Sequence, residues 1–429
     1  MKKKYRIILY TSIFLLCVVA SIILVVKKSN SVYEEESKPK VVKHKSMLSM
    51  NLEQTAGSGD YKTVTQSSWP TEGYKFNAEL SKCENGSTLS WDDTKKAVIV
   101  SGNLSDKCYV YFDIYQPTLA EYIKSQYTGT QGENNIYYHD SDLANGAGDN
   151  SYRYAGANPN NFVCFGTTES PCPTDNLYRI IGVFGENYHG VTGKQLVKLI
   201  KYDYMTTDEL GTDGDYSQTY KEWGMDSTYK GTYGDGERIG VYYWNYKATG
   251  SATNTWSTSL LNKTNLNTNF INNIGTTWAN KIATVTWKVG GNTWANIGTK
   301  TSSVAYTNEI TNPVTTNTTD NATTYSAKIG LMYVSDYGFA ASPDAWTLTM
   351  SSYNNTTATN NNWMYMGLYE WTISRRADTS NYAFRVYSDG YVLSDGVYNY
   401  GGVRASFNLE SSVSYVSGSG SMSDPIVIN

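Results

Sequence analysis

Residues 371–409 read WTISRRADTSNYAFRVYSDGYVLSDGVYNYGGVRASFNL. Tyrosine, asparagine, serine and aspartate are interspersed here with glycines, which favour tight turns. Tyrosine offers a large amphipathic contact area at low entropic cost, and serine, glycine and asparagine form adaptable hydrogen bonds, so the composition is typical of a binding surface. The alternative is that the tyrosines simply cover one face of a sheet. Tyr382, Phe384 and Val386 fit this alternative, because alternate residues of a strand lie on the same face. The segment 398–400, followed by two glycines, fits that alternative less well.

The expected ligand contacts are tyrosines that would stack on a ligand and acidic or amide side chains that would form hydrogen bonds with it. These candidates are Tyr387, Asp389, Tyr391, Asp395, Tyr398, Asn399 and Tyr400. Trp371 and Arg404, which flank them, are assigned to the scaffold. Replacing Tyr398 and Tyr400 with alanine is expected to abolish binding and to leave the melting temperature nearly unchanged.

The same stretch resembles the end of a bacterial domain of unknown function that is similar to C-type-lectin-like and formylglycine-generating-enzyme-like folds. The segments that carry this resemblance at the end of the chain are 371–375, 388–390 and 402–409. Earlier segments, 177–182 and 256–262, correspond to the first strand and first helix of that domain. The resemblance therefore covers residues 161–429.

This resemblance implies a C-type-lectin-like scaffold in which the last strands and loops present a ligand face. In some relatives the segment before Gly-Val-Arg is diversified by retroelements, and the composition of residues 387–400 is compatible with that process. Formylglycine-type oxidation is not implied, because no cysteine follows Cys172. The ligand stays open, since a lectin-like fold does not require a carbohydrate.

The order of strand-like and helix-like segments predicts an α+β domain at residues 161–429. Residues 177–184 and 195–202 indicate two strands, and residues 257–274 and 278–283 indicate helices. The end of the chain is strand-like again in the segments 328–333, 363–374, 382–387, 390–393, 403–409 and 425–428. We expect the stretch between the helices and the final strands, 292–327, to form loops because it consists mostly of threonine and asparagine.

The preceding part of the chain divides into shorter segments. Residues 61–116 contain short β-rich runs and predict a small β module. Residues 117–160 are polar apart from a short helical segment, 119–127, and are expected to be a linker. Residues 27–60 carry charged residues followed by serine and glycine, which indicates a solvated stalk.

Residues 7–26 form an uncharged apolar run with cations on both sides. A run of about 20 residues is long enough to cross a bilayer as one helix, and the positive charges predict that residues 1–6 are cytoplasmic and the rest extracytoplasmic. This segment is expected to be a single-pass signal anchor in the cell membrane. The alternatives are a cleaved signal peptide, which normally has a shorter apolar region, and a lipoprotein attached through Cys17.

Four cysteines lie beyond the apolar run, an even number that favours disulfides in an exported protein. The expected pairs are Cys83 with Cys108 and Cys164 with Cys172. Free thiols are the alternative. The cysteines do not have the C-x-x-C spacing that a zinc site requires.

Catalysis has little support, because the three histidines are His44, His139 and His189 and no recognised catalytic motif is present. Asp213 and Asp215 could serve a hydrolase only if the fold placed them across a substrate. The turns 213–215 and 235–237 also offer oxygen ligands, so calcium is the one cofactor considered; no other cofactor or metal is expected.

The formal net charge of -4 provides no basic field, so nucleic acid is excluded as an expected partner. The sequence therefore predicts a membrane-anchored, extracytoplasmic binding or adhesion protein without catalytic activity, whose partner is an extracellular protein or glycan. The alternatives are a structural cell-envelope protein without a specific pocket and a surface hydrolase.

Overall fold

A computed structural model describes residues 48–65, 68–70, 73–223, 229–234, 236, 238–313, 322–354 and 356–429. The chain divides into two compact units, with the boundary between Tyr115 and Gln116.

The first unit is built on strands, numbered here in chain order. A four-stranded sheet has the order β2-β1-β6-β3, in which β1 and β6 are parallel and the other neighbours are antiparallel. Strands β4 and β5 form a separate hairpin. The bounds are β1 Leu48–Glu53, β2 Tyr61–Val64, β3 Tyr74–Cys83, β4 Thr88–Asp92, β5 Ala97–Ser101 and β6 Cys108–Ile114.

Alternating side chains of β1 and β6 form the core of this unit. Met50, Leu52, Val110 and Phe112 are buried, as period-2 alternation in a half-buried strand requires. Residues 48–53 were expected to belong to the stalk, but they form a strand because Met50 and Leu52 pack into this core. Residues 27–47 of the expected stalk lie outside the described residues.

The second unit contains a seven-stranded sheet of order β16-β21-β11-β10-β8-β7, with β9 paired to β10. Every residue of β10 and β11 is buried, which explains their nearly continuous apolar sequences. The bounds are β7 Ile136–His139, β8 Ser151–Tyr154, β9 Phe162–Cys164, β10 Leu177–Phe184, β11 Leu196–Lys201, β16 Ile329–Gly330 and β21 Ser406–Asn408.

Four smaller sheets surround it: β12-β13-β20, β14-β15, β17-β18-β19 and β22-β23. Their bounds are β12 Tyr216–Thr219, β13 Gly240–Tyr243, β14 Val285–Lys288, β15 Thr324–Ala327, β17 Glu370–Arg375, β18 Tyr382–Val386, β19 Val392–Gly396, β20 Tyr400–Gly401, β22 Tyr415–Ser417 and β23 Val427–Ile428.

The described helices are short. The α-helices are α1 Leu119–Ser125, α2 Glu186–His189, α3 Thr207–Leu210, α4 Tyr220–Trp223, α5 Ile271–Ala279, α6 Trp294–Ile297, α7 Ser302–Tyr306, α8 Val334–Ala340 and α9 Thr356–Asn360. Two π-helical segments cover Leu261–Phe270 and Thr307–Thr311. Single 3₁₀ turns cover Glu133–Asn135, Thr174–Asn176, Trp256–Thr258, Pro343–Thr347 and Met350–Ser352.

Both expected cysteine pairs are joined as disulfides in the structure. Cys83 and Cys108 face each other across β3 and β6, and Cys164 is joined to Cys172 eight residues further along the chain. Disulfides of this kind are consistent with an oxidising environment.

The expected fold class is wrong. The described residues form a mixture of helix and strand distributed over several sheets, whereas an α+β fold preceded by an N-terminal transmembrane helix was expected. No helix of the described residues is long and apolar enough to cross a membrane, so the predicted single-pass membrane localisation is not supported either. The segment on which that prediction rested, residues 7–26, lies outside the described residues.

Two segments expected to lack regular structure contain it. Residues 117–160 include β7 and β8, which extend the seven-stranded sheet, because Ile136 and Tyr154 are buried in the core of the second unit. Residues 292–327 include α6, α7 and β15, whose buried members Ile297 and Ala305 are separated by polar residues. Short elements with few apolar positions have a weak periodic signal, which is why the sequence pattern did not predict them.

Candidate functional site

The Tyr387–Tyr391 turn joins β18 to β19. The Gly390 N–H donates to the Tyr387 carbonyl at 2.9 Å, and the Tyr387 N–H donates to the Tyr391 carbonyl at 2.8 Å. Gly390 has a φ of +98°, a backbone conformation that favours glycine. Its carbonyl accepts a hydrogen bond of 2.7 Å from the buried Tyr337 hydroxyl. The turn is therefore fixed to the core and presents its tyrosines from a rigid support.

Arg385 and Asp395 form an ion pair at the centre of the β18–β19 hairpin. They are diagonal neighbours, since Ala383 lies opposite Asp395 in the register. The Asp395 carboxylate also accepts from the Asn399 amide at 2.6 Å and from the Tyr387 hydroxyl at 3.3 Å. The two side chains are only 10% and 19% exposed, so this pair organises the surface from beneath.

Two tyrosine rings lie against Arg385, and a third stacks on one of them. The guanidinium carbon lies 4.5 Å from the ring centroid of Tyr369 and 4.7 Å from that of Tyr387, distances typical of cation–π contacts. Tyr387 stacks on Tyr391 with 4.6 Å between centroids and meets Tyr369 edge-on at 4.8 Å. Tyr369, Tyr387 and Tyr391 are half-buried, and we call them the tyrosine platform.

The protonation of the platform is set by its partial burial. Burial raises the pKa of both Tyr387 and Tyr391 above the ordinary tyrosine value. Both hydroxyls are therefore protonated at physiological pH. That of Tyr387 donates to Asp395, and that of Tyr391 can donate a hydrogen bond to a ligand.

A second group of aromatic rings lies on the sheet β12-β13-β20. Tyr243 faces Tyr400 across β13 and β20, with ring centroids 6.3 Å apart, and stacks on Tyr246 at 4.5 Å. Tyr246 is 44% exposed. Arg385 connects this group to the platform, because its Nη1 donates to the Tyr400 carbonyl at 3.2 Å.

The structure brings most of the predicted ligand contacts into this region. Tyr387, Tyr391 and Tyr400 belong to the aromatic surface, while Asp395 and Asn399 form its hydrogen-bonded centre. The other two, Asp389 and Tyr398, are exposed, and partial burial raises the pKa of the Asp389 carboxyl.

Four residues of the surface were missed by sequence reasoning: Arg385, Tyr369, Tyr243 and Tyr246. Arg385 has the same strand parity as Tyr387, opposite to that of Tyr382, Phe384 and Val386, and this signal could have identified it. Tyr243 and Tyr246 are distant in sequence, so only strand pairing reveals them.

The flanking residues Trp371 and Arg404 lie inside the second unit. Trp371 is fully buried and its indole N–H donates to the Tyr242 carbonyl at 2.9 Å. Arg404 forms a two-point ion pair with Glu370, at 2.8 and 2.9 Å, and donates to the Met364 carbonyl at 2.7 Å. Both residues support β17 from the core side.

The carboxylates considered for catalysis or calcium have other partners. Asp215 is buried and accepts from the backbone N–H groups of Tyr246 at 3.1 Å and Leu261 at 2.9 Å. Asp213 accepts from the Asn269 amide at 2.6 Å. The second turn, 235–237, includes residues outside the described part of the chain. Within the described residues, no three acidic, histidine or cysteine side chains cluster as metal ligands would.

A cavity of about 190 Å³ lies elsewhere in the second unit, lined by Asp175, Thr206, Asp208 and Arg238 among others. Arg238 lies 3.0 Å from the Asp175 carboxylate and 3.8 Å from that of Asp208. The lining thus has one arginine beside two aspartates, together with Glu209, which pairs with Lys201, so an excess of negative charge faces the cavity.

Comparisons of this chain with family models, curated proteins and solved structures found no match. The resemblance noted for residues 161–429 therefore stays a prediction, and the function has to be inferred from the site itself.

Proposed function

We propose that this protein is a non-catalytic binding protein that recognises the surface of another protein through the tyrosine platform. The observation that carries the proposal is a half-buried cluster in which Tyr387 contacts both Tyr369 and Tyr391, while Arg385 lies over the rings of Tyr369 and Tyr387. Tyrosine and arginine are the residue types that most often dominate the energy of protein interfaces.

The form of the surface supports a macromolecular partner. Its rings are spread over two neighbouring sheets, from Tyr391 to Tyr246, instead of lining a cavity. Small molecules are usually bound in concave pockets that bury most of their surface. A broad, half-buried aromatic face suits a partner of comparable breadth.

The hydrogen bonds beneath the platform support pre-organisation. Asp395 holds Asn399, the Gly396 N–H and the Tyr387 hydroxyl, so these groups need little further ordering on binding. A rigid aromatic surface loses less conformational entropy when it binds and so retains more of its contact energy.

One observation favours a second candidate function, that of a structural protein without a specific partner. Asp395 is satisfied within the chain, by Arg385 and three hydrogen-bond donors. Tyrosines that only shield such a network would be important for stability and not for binding.

The test is a protein and glycan array probed with the full chain, with its Tyr387→Ala/Tyr391→Ala variant and with a control, Tyr109→Ala. Tyr109 is a matched control because its ring lies 5.1 Å from Lys107 and its hydroxyl donates to Glu84 at 2.9 Å, an arrangement similar to that of Tyr387.

We expect a protein partner that binds the wild type and the control at least tenfold more tightly than the double variant, since two interface anchors are worth about 1.4 kcal/mol or more together. Glycan hits that require the platform would change the class of partner. No hits for the wild type, or hits that the double variant retains, would overturn the proposed function and favour the structural role.

A further inference from the structure

Lys198 and Asp336 meet in the core of the second unit, far from the tyrosine platform in sequence and unused by the proposed function. The Lys198 Nζ on β11 lies 2.5 Å from the Asp336 Oδ2 on α8, and both side chains are completely buried. The Tyr188 hydroxyl bridges the same pair: it accepts from Lys198 Nζ at 2.6 Å and donates to Asp336 Oδ1 at 2.6 Å. An amine and a carboxyl group are thus held in contact without access to water.

Aromatic rings enclose the Lys198 amine and exclude water from it. The Nζ atom lies 4.4 Å from the ring centroid of Tyr333, 4.8 Å from that of Tyr188 and 5.2 Å from that of Trp287. Burial lowers the pKa of Lys198, although Asp336 opposes the shift. A desolvated lysine amine is a good nucleophile, which is the usual way that enzymes activate lysine.

The surroundings of Asp336 are suited to stabilise a negative oxygen. Arg153 Nη1 lies 3.7 Å from Oδ1, on which the Tyr188 hydroxyl also donates. Arg153 Nη1 is a buried donor that has no hydrogen-bond partner among the described residues. The Tyr333 backbone N–H donates to the other oxygen, Oδ2, at 3.0 Å. Donors placed in advance around an oxygen that becomes negative are the main source of electrostatic catalysis.

We propose that Lys198 and Asp336 condense spontaneously to an intramolecular isopeptide bond, assisted by Tyr188 and Arg153. A proton first passes from the Lys198 ammonium to Asp336 Oδ2, which leaves a neutral amine beside a neutral carboxylic acid. Nζ then attacks Cγ, and the Cγ–Nζ bond forms while Oδ1 becomes an oxyanion held by the Tyr188 hydroxyl and Arg153 Nη1. A second proton moves from Nζ to Oδ2, the Cγ–Oδ2 bond breaks and water leaves, so that the products are one amide and one water molecule.

The fixed contact removes most of the entropic barrier to this reaction, since two groups held in reacting geometry behave as if at very high concentration. No oxidant, cofactor or activated donor is needed. The product links β11 to α8 across 138 residues of chain, and it replaces a buried ion pair, which is costly to desolvate, with a neutral amide.

The experiment is mass spectrometry of the reduced full chain followed by tryptic peptide mapping. We expect the wild-type mass to be lower by one water molecule than the sequence requires. The peptide covering residues 195–201 should be joined to that covering residues 329–375, because trypsin does not cleave after a modified lysine. The Lys198→Met variant should have its full sequence mass, and Asp336→Asn should lose one ammonia molecule instead of water, since the amide nitrogen then leaves.

The chain provides a matched internal comparison in Lys201 and Glu209, whose Nζ and Oε1 are also 2.5 Å apart. Glu209 is 12% exposed, so water reaches its carboxylate, and Lys201 Nζ also donates to the Asp175 carbonyl, so we expect no link there. A Tyr188→Phe variant should retain unlinked chains that the wild type lacks, if the hydroxyl stabilises the oxyanion.

An unchanged wild-type mass, or release of a free peptide 195–198 by trypsin, would overturn the proposal and leave Lys198 and Asp336 as an ordinary buried ion pair. Loss of water located anywhere else in the chain would overturn it equally. The wild-type measurement decides the question even if the variants fail to fold.

Discussion

Replacing Arg404 with methionine should destabilise the second unit strongly. Arg404 is 1% exposed and its guanidinium makes two bonds to the Glu370 carboxylate, which is 2% exposed, and a third to the Met364 carbonyl. Removing one partner of a buried pair leaves the other charge without compensation, which typically costs about 3–5 kcal/mol. Since folded domains are stable by only about 5–15 kcal/mol, we expect Arg404→Met to lose a large part of its free energy of unfolding.

The loss should depend on pH in a direction that the structure defines. Burial raises the pKa of Glu370, against the opposing effect of Arg404. Without Arg404, Glu370 retains its proton in the folded state to a pH at which it is already ionised in the unfolded state. The loss of stability relative to the wild type should therefore become smaller as pH falls from 7 towards 5, by up to about 1.4 kcal/mol per pH unit.

The assay is urea unfolding followed by tryptophan fluorescence at pH 7 and pH 5, on Arg404→Met, Glu370→Gln and the double variant. The double variant should be more stable than the sum of the single losses predicts, with a coupling of about 1–3 kcal/mol. Arg238→Met is the matched control: its pair with Asp175 is 3.0 Å long but about half exposed, so it should lose at most about 1 kcal/mol. A loss for Arg404→Met no larger than the control, or one that grows on acidification, would refute the reasoning.

Three further predictions concern a buried histidine, a disulfide and a glycine in a turn. Burial holds the pKa of His139 well below its usual value. The free energy of unfolding should therefore decrease as pH falls below about 6.5, by up to about 1.4 kcal/mol per pH unit. In urea titrations at pH 7 and pH 5, the His139→Asn variant should lack this pH-dependent loss. Replacing both Cys83 and Cys108 with alanine opens a loop closed over a separation of 25 residues and should cost about 3 kcal/mol, measured by the urea midpoint of the first unit. Gly390→Ala should reduce the free energy of unfolding by about 1 kcal/mol more than Gly193→Ala does. Both glycines have a positive φ, but of the two only Gly390 has a neighbouring atom, at 2.5 Å, with which the new methyl group would collide. Equal losses in thermal melts would contradict this steric argument.

Local signals were sufficient for several elements. Strand β10 has the predicted bounds, Leu177–Phe184, and β11 begins and ends within one residue of the predicted segment 195–202. Both are predominantly apolar runs with one or two charged residues, a pattern that can be recognised without knowledge of the neighbouring strands. Helix α1 follows Thr118, whose capping box with Glu121 is also visible in sequence.

The surface could be predicted only in part. The residues between 387 and 400 were identified by their composition, because tyrosine, aspartate and asparagine in a turn-rich segment are typical of a binding surface. The Arg385–Asp395 pair that organises them could not be predicted from the sequence. A diagonal contact between two strands depends on their register, and the register depends on the turn.

The sequence by itself determined the elements whose side chains bury their own continuous apolar surface, together with the cysteine pairs and the composition of the aromatic segment. Only the tertiary structure decided that Tyr243 joins Tyr400, and that Lys198 meets Asp336 across 138 residues. The physical reason is that very short strands such as β7, β13 and β20 gain their stability from pairing with other strands. Their local sequences therefore do not predict the strands with which they pair.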